Sequence, residues 1–185
     1  EKPPVLNFEM HTSLFGDSHD TKWKKYYENI KTKLEKDSNN SFGYHFSDED
    51  FYIYMIVHEY KHYSNGGTGI RSLLDSYVFL KKKSDVLNFE YVEKECQKLG
   101  ISDFEKQSRE LSFKVFGENS ENFSEDEKKM FERYIFSGTY GTLENAVNKK
   151  IEDFQKENKS SSKFKYVLNR VFPPMEFYKK YYPDV

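Results

Sequence analysis

The side chains best suited to chemistry stand together in one short stretch that begins with two histidines. The string His58-Glu59-Tyr60-Lys61-His62 matches the His-Glu-x-x-His pattern of zinc peptidases. Residues four apart share one face of a helix, so both imidazoles could bind Zn²⁺ while Glu59 polarises the bound water. No third ligand stands at a recognisable spacing, and Lys61 would place a cation beside the metal. A zinc-dependent metallopeptidase is therefore one hypothesis.

A glycine turn follows directly and favours an anion instead. The run Gly66-Gly67-Thr68-Gly69 separates two helical patterns, and Arg71 and Asp75 stand at the start of the second. A helix N-terminus offers unpaired N–H groups and a positive dipole end, which suit phosphate. The plainer alternative is structural: His58 and His62 are half-buried helix residues with hydrogen bonds to neighbouring helices, and Arg71 and Asp75 pair as i and i+4 neighbours.

The elements that must position these residues are predicted to be mainly helical. The apolar pattern predicts a half-buried strand over residues 5–13, a helix over 20–37 and a short strand over 42–46. Ser47 followed by Asp50 resembles a capping box and opens a helix that ends at the glycine turn. The next helix begins near Thr68 and ends at three lysines.

Glycines and small polar residues delimit the remaining helices. Gly100 closes a helix that begins near Asn88, Ser102 caps the next helix, and Ser124 with Glu127 forms another capping box. Three shorter helices are predicted after residue 138. The predicted fold class is therefore α+β, mainly α, with a short N-terminal β element packed on a bundle of about eight helices. The expected domain boundary lies between residues 46 and 47.

Composition narrows the class of protein and its partners. A net charge of −2 gives no field that would attract nucleic acid or an anionic membrane. The single cysteine, Cys96, excludes an internal disulfide framework and predicts a cytoplasmic protein. No run is apolar enough to cross a bilayer. Fifteen Tyr and seventeen Phe predict a core rich in aromatic rings, and a start at Glu1 rather than Met is expected of a fragment.

Four segments together resemble one family. The run from His58 to Asp75 is similar to the signature of the uncharacterised bacterial nucleotidyltransferase family, in which His and Lys-His precede a Gly-Gly-x-Gly-x-Arg turn and a helix carrying Asp. Glu9-Met10-His11 resembles the Glu-x-His of its acidic strand. The run 137–142 and the ending from Phe172-Pro173-Pro174 resemble its later segments. The resemblance spans nearly the whole chain.

The resemblance implies an enzyme of the polymerase-β-like nucleotidyltransferase superfamily, which moves a nucleotidyl group from an NTP to an acceptor with Mg²⁺. The family core normally supplies a Gly-Ser turn and an Asp-x-Asp pair that hold the metals, and neither stands here. Asp48 and Asp50 occur at a helix start, so we interpret them as capping residues. The chain thus resembles the C-terminal half of a member of this family. Residues 1–46 would be a remnant of the α/β core, and residues 47–185 a helical domain.

The resemblance implies that Glu9 is the candidate third carboxylate of the site. In that role Glu9 would be a catalytic residue and a ligand of Mg²⁺. A chain without the aspartate pair is expected to be inactive alone. The acceptor and the oligomeric state are not indicated, and a non-catalytic helical interaction module stays open as an alternative. The residues implied to contact the NTP or the acceptor are His11, His58, Lys61, His62, Gly67, Gly69, Arg71 and Asp75.

Overall fold

The computed structural model describes residues 13–16, 19–117 and 122–138. These residues form six α-helices, one 3-10 helix and a two-stranded antiparallel sheet, which confirms the α+β, mainly α class. The elements in chain order are α1 (Thr21–Tyr27), a 3-10 helix (Ile30–Lys33), β1 (Leu34–Lys36), β2 (Tyr44–Phe46), α2 (Asp48–Asn65), α3 (Ile70–Lys83), α4 (Phe89–Leu99), α5 (Ser102–Phe116) and α6 (Glu125–Phe136). Apart from Ser13, the strand predicted over residues 5–13 lies outside the described residues, as do the helices predicted after residue 138.

The single helix predicted over residues 20–37 is wrong, because α1 ends at Tyr27. The chain then passes through the 3-10 helix into β1, which pairs antiparallel with β2. The ammonium of Lys33 lies 3.0 Å from a carboxylate oxygen of Asp50, and this ion pair holds the end of the 3-10 helix. Strand pairing and a long-range ion pair outweigh the helical spacing of the apolar residues here.

Most of the predicted helix caps are confirmed. The hydroxyl oxygen of Ser47 accepts the amide of Asp50 at 3.1 Å. Asn88, near which a helix was predicted to begin, accepts the amide of Tyr91 at 3.0 Å and so caps α4. Gly100 ends α4 in the left-handed conformation at φ 71°. Each cap depends only on residues close by in the chain, which is why the sequence pattern reveals it.

The cap predicted at Ser102 is wrong. The N-cap of α5 is Ile101, which makes no side-chain capping bond. The hydroxyl of Ser102 instead donates to a carboxylate oxygen of Glu93 at 2.6 Å. A carboxylate is a stronger acceptor than a neutral group, so the long-range bond replaces the local one.

The chain divides into two compact units, Glu1–Tyr60 with Ser72–Glu127 and Lys61–Arg71 with Lys128–Val185. The predicted boundary after residue 46 concerns which residues belong to the family core, and it stays a prediction. No helix of the described ranges is long and apolar enough to span a membrane. In the first unit the buried residues include many aromatic rings, as predicted, among them Phe15, Trp23, Tyr27, Tyr52 and Phe104.

Candidate functional site

Glu59, the second residue of the His-Glu-x-x-His string, lies in the interior of the first unit. Only 3% of its surface is exposed. Ser76 on α3 donates to one carboxylate oxygen at 3.2 Å, and Ser108 on α5 donates to the other at 2.9 Å. These hydroxyl groups offset the loss of water around the buried carboxylate. Glu59 therefore joins α2 to α3 and α5.

His58 lies in a different environment from its neighbour in the string. Its side chain is exposed, and its ring lies 6.0 Å from that of Tyr54. A metallopeptidase needs the glutamate beside a metal-bound water, and the burial of Glu59 gives that arrangement no support. Within the described part of the chain, no three His, Cys, Asp or Glu residues come together in a way that could hold a metal. The zinc hypothesis stays a prediction that metal analysis can test.

The end of α2 lies in the second unit, where the glycine turn begins. The amides of Gly66 and Gly67 both donate to the carbonyl oxygen of His62, at 3.1 and 2.9 Å. Gly67 has a φ of 102°, which side chains other than glycine rarely adopt. The turn thus uses the amides of Gly66 and Gly67 to close α2, and the amides that follow, up to the first turn of α3, are the ones that could bind an anion.

Gly67 also lies unusually close to the residue that follows α6. A Cβ atom built on Gly67 would lie 2.0 Å from the Ser137 hydroxyl oxygen and 2.3 Å from the Ser137 Cβ. The Ser137 hydroxyl is itself hydrogen-bonded to the carbonyl oxygen of Arg133. Only glycine leaves room for this approach, so Gly67 is required by packing as well as by its backbone angle.

Arg133 on α6 contacts the same helix end. Its Nη2 donates to the carbonyl oxygen of Tyr63 at 2.8 Å, and its guanidinium carbon lies 4.8 Å from the centre of the Tyr63 ring. Sequence reasoning missed Arg133, because the two residues stand 70 positions apart and belong to no common motif. In the sequence, Ser137 belongs only to the run 137–142, which resembles a later segment of the family.

The start of α3 presents the predicted arginine to solvent. The helix begins at Ile70, two residues later than predicted, and Arg71 is exposed in its first turn. Thr68 is buried at 5% exposure and Gly69 is half-buried. Asp75 is exposed one turn further along the helix. An exposed guanidinium beside the first amides of a helix is suited to binding an anionic group.

Lys61 contributes a second cationic group at the end of α2. Its side chain is half-buried, and burial lowers the pKa of its ammonium below the ordinary value, because the charged form loses solvation. His62, the next residue, is also half-buried. A bound anion near Lys61 would reverse this shift, since opposite charge favours the protonated form.

The predicted binding residues therefore divide between the two units. The segment Lys61–Arg71 of the second unit carries Lys61, His62, Gly67, Gly69 and Arg71, whereas His58 and Asp75 belong to the first unit. Glu9 and His11 lie outside the described residues. Most of the predicted binding residues thus belong to the second unit, and their positions can be compared directly within it.

A family model described as an uncharacterised nucleotidyltransferase matches residues 2–117, more than half of the chain. The comparison with curated proteins gave no match, and the comparison with solved structures gave none either. The match includes every predicted site residue from Glu9 to Asp75 and ends before α6. Arg133 and Ser137 therefore lie outside the matched residues.

Proposed function

We propose that this chain, which belongs to the uncharacterised nucleotidyltransferase family, forms the helical, substrate-facing part of an enzyme that transfers a nucleotidyl group from an NTP to an acceptor. The observation that carries the proposal is the segment Lys61–Arg71. In it, one helix closes on a glycine turn and the next begins with an exposed arginine. That segment is the phosphate-binding turn of the proposed site.

The triphosphate of an NTP would contact the first turn of α3. The first amides of a helix have no partner within the helix, and the helix dipole adds positive potential at the same end. Arg71 can donate two parallel hydrogen bonds from its planar guanidinium to phosphate oxygens. Phosphoryl and nucleotidyl transfer depend mainly on positioning and charge stabilisation. The amides of α3 and the Arg71 guanidinium can provide both.

The other predicted contacts complete the proposal. The triphosphate would raise the pKa of the Lys61 ammonium, which burial lowers, because a nearby negative charge favours the charged form. His58 and His62 would contact the triphosphate or the acceptor, and Asp75 would orient Arg71 or a histidine. His11, by its family resemblance, belongs to the same set.

Mg²⁺ is the metal that the family implies, and it prefers oxygen ligands with several carboxylates nearby. Across residues 13–16, 19–117 and 122–138, no cluster of ligating side chains fits that requirement. The only candidate ligand, Glu9, lies outside those ranges. The described residues therefore contribute binding and orientation of the triphosphate, and the metal-holding role of Glu9 stays part of the proposal.

The proposal includes the expectation that the chain does not catalyse transfer alone, since it contains no Gly-Ser turn followed by an Asp-x-Asp pair. A nucleotide-transfer assay with the purified 185-residue chain tests this point. Turnover by the chain alone would show that the catalytic carboxylates are not the missing aspartates.

The direct test of the site uses tripolyphosphate as the probe and calorimetry as the measurement. We expect the parent to bind and Arg71→Ala to bind about 10- to 100-fold more weakly, the loss expected for a hydrogen bond to a charged group. Lys82→Ala is the matched control, because Lys82 is an exposed cation at the other end of α3. Equal affinity of parent and Arg71→Ala would remove Arg71 from the site. A parent that does not bind would leave the interaction module as the better hypothesis.

A further inference from the structure

We infer that Arg133, a residue outside the family match, is the positioning residue that fixes the end of α2 and so sets the course of the phosphate-binding turn. The inference rests on the proposed function for the identity of the ligand. It does not rest on that function for the structural role of Arg133, which can be measured without any ligand.

The first observation concerns a carbonyl group at the end of α2. In a continued helix, the amide of Gly67 would donate to the carbonyl oxygen of Tyr63. In the structure that amide donates to His62 instead, at 2.9 Å. The guanidinium of Arg133 donates to the carbonyl oxygen of Tyr63 at 2.8 Å. Arg133 therefore caps α2, as basic side chains do at helix C-termini.

The second observation concerns charge and ring stacking at the same place. The C-terminal end of a helix carries partial negative charge, so a guanidinium there is favourable. The Arg133 guanidinium also lies 4.8 Å from the centre of the Tyr63 ring, within the range of a cation–π contact. Among the described residues, the buried Nε of Arg133 finds no acceptor. The bond to Tyr63 and the ring contact thus fix the orientation of the guanidinium despite that unpaired donor.

The third observation is that one face of the α6 chain segment contacts the turn twice. Arg133 and Ser137 stand four residues apart and are joined by a helical hydrogen bond of 3.1 Å, so both side chains lie on the same face. Arg133 contacts the chain before the glycines, at Tyr63, and Ser137 lies against Gly67 itself. The start of the turn is therefore contacted at Tyr63 and at Gly67 by a segment that lies outside the match to the family model.

This arrangement links Arg133 to the ligand without direct contact. The amides proposed to bind phosphate are those of Gly69 and of the first turn of α3, which begins at Ile70, three residues after Gly67. If the end of α2 frays, the turn loses its fixed start and the first amides of α3 lose their fixed direction. Loss of the Arg133 cap should therefore weaken anion binding through the turn.

The test compares Arg133→Met, Arg133→Lys and the parent in the full chain labelled with ¹⁵N. The amide resonances of Gly66 and Gly67 report the turn without ligand, and calorimetry with tripolyphosphate reports the site. Lys128→Met is the control, since Lys128 is an exposed cation on α6 that stands five positions before Arg133 and so faces another direction.

We expect Arg133→Met to shift the ligand-free resonances of Gly66 and Gly67 and to weaken tripolyphosphate binding about tenfold, equivalent to about 1.4 kcal/mol. Arg133→Lys, which keeps the charge and one donor, should recover part of both effects even if Arg133→Met folds poorly. Shifted resonances in a chain whose parent does not bind tripolyphosphate would support the cap and contradict the proposed function. Unchanged resonances in both Arg133 variants would overturn the inference, even if binding weakened, because Arg133 would then contact the anion directly.

Discussion

Replacement of Gly67 by alanine tests the geometry of the phosphate-binding turn most sharply. Two penalties should add. Alanine at a φ of 102° is strained by about 1–3 kcal/mol. The new methyl group would also lie 2.0 Å from the Ser137 hydroxyl oxygen and 2.3 Å from its Cβ, and overpacking of this kind costs about 1–3 kcal/mol. The free energy of unfolding should therefore fall by about 2–6 kcal/mol in Gly67→Ala.

A second substitution separates the two penalties. In Ser137→Gly both close atoms are removed, and the nearest remaining atom of residue 137 is the Cα at 3.6 Å, an ordinary contact. Combined with Ser137→Gly, the Gly67→Ala change should lose only the backbone strain, so the coupling energy of the cycle should be about 1–3 kcal/mol. Ser137→Ala is the matched control, because its Cβ keeps the 2.3 Å contact and should rescue little.

Urea unfolding of the parent, the three single variants and the two double variants, monitored by circular dichroism, supplies the free energies. The comparison holds if the dependence of the unfolding free energy on urea concentration is the same in all six proteins. A Gly67→Ala chain within about 0.5 kcal/mol of the parent would refute the reasoning, since that range is typical of neutral surface changes. Equal rescue by Ser137→Ala and Ser137→Gly would refute the part that depends on the close approach.

Three further predictions concern the first unit. Hydrogen bonds from Ser102 and other neighbours lower the pKa of Glu93 from 4.5 to about 2, so its contribution to stability should be present above pH 4.5 and lost as the pH falls towards 2; acid titration of Glu93→Gln should show a weaker loss over that range. Burial raises the pKa of the Cys96 thiol to about 12, so a thiol reagent at neutral pH should label Cys96 only after unfolding in urea. The Tyr52 hydroxyl donates to the buried Glu105 at 2.8 Å, so thermal unfolding of Tyr52→Phe should reveal a loss of about 1–3 kcal/mol, and an unchanged stability would show that the bond contributes nothing.

Features that depend on neighbours in the chain were predictable from the sequence. The capping pair Ser124 and Glu127 is one example: the amide of Ser124 donates to the Glu127 carboxylate at 2.7 Å, and the Glu127 amide donates back to Ser124 at 3.3 Å. The glycine turn after α2 is another. Both signals are local, because a cap or a turn is decided within about four residues.

Features that depend on distant partners were not predictable. The His-Glu-x-x-His spacing is correct for a metal site, but it does not reveal that Glu59 is bonded to Ser76 and Ser108, which stand 17 and 49 positions away. The bond from Arg133 to Tyr63 likewise joins two residues that no motif connects. The glycine turn between α2 and α3 was therefore predictable, whereas the bond from Arg133 to Tyr63 and the environment of Glu59 required the fold.

The most direct test of the proposed function is a titration of the ¹⁵N-labelled chain with each of the four common NTPs. The amide resonances of the chain are recorded at each NTP concentration. The proposed function predicts saturable shifts centred on Gly69, Ile70 and Arg71, and tripolyphosphate should compete for the same residues. Resonances of these three amides that do not move at saturating NTP, or shifts confined to other helices, would contradict it.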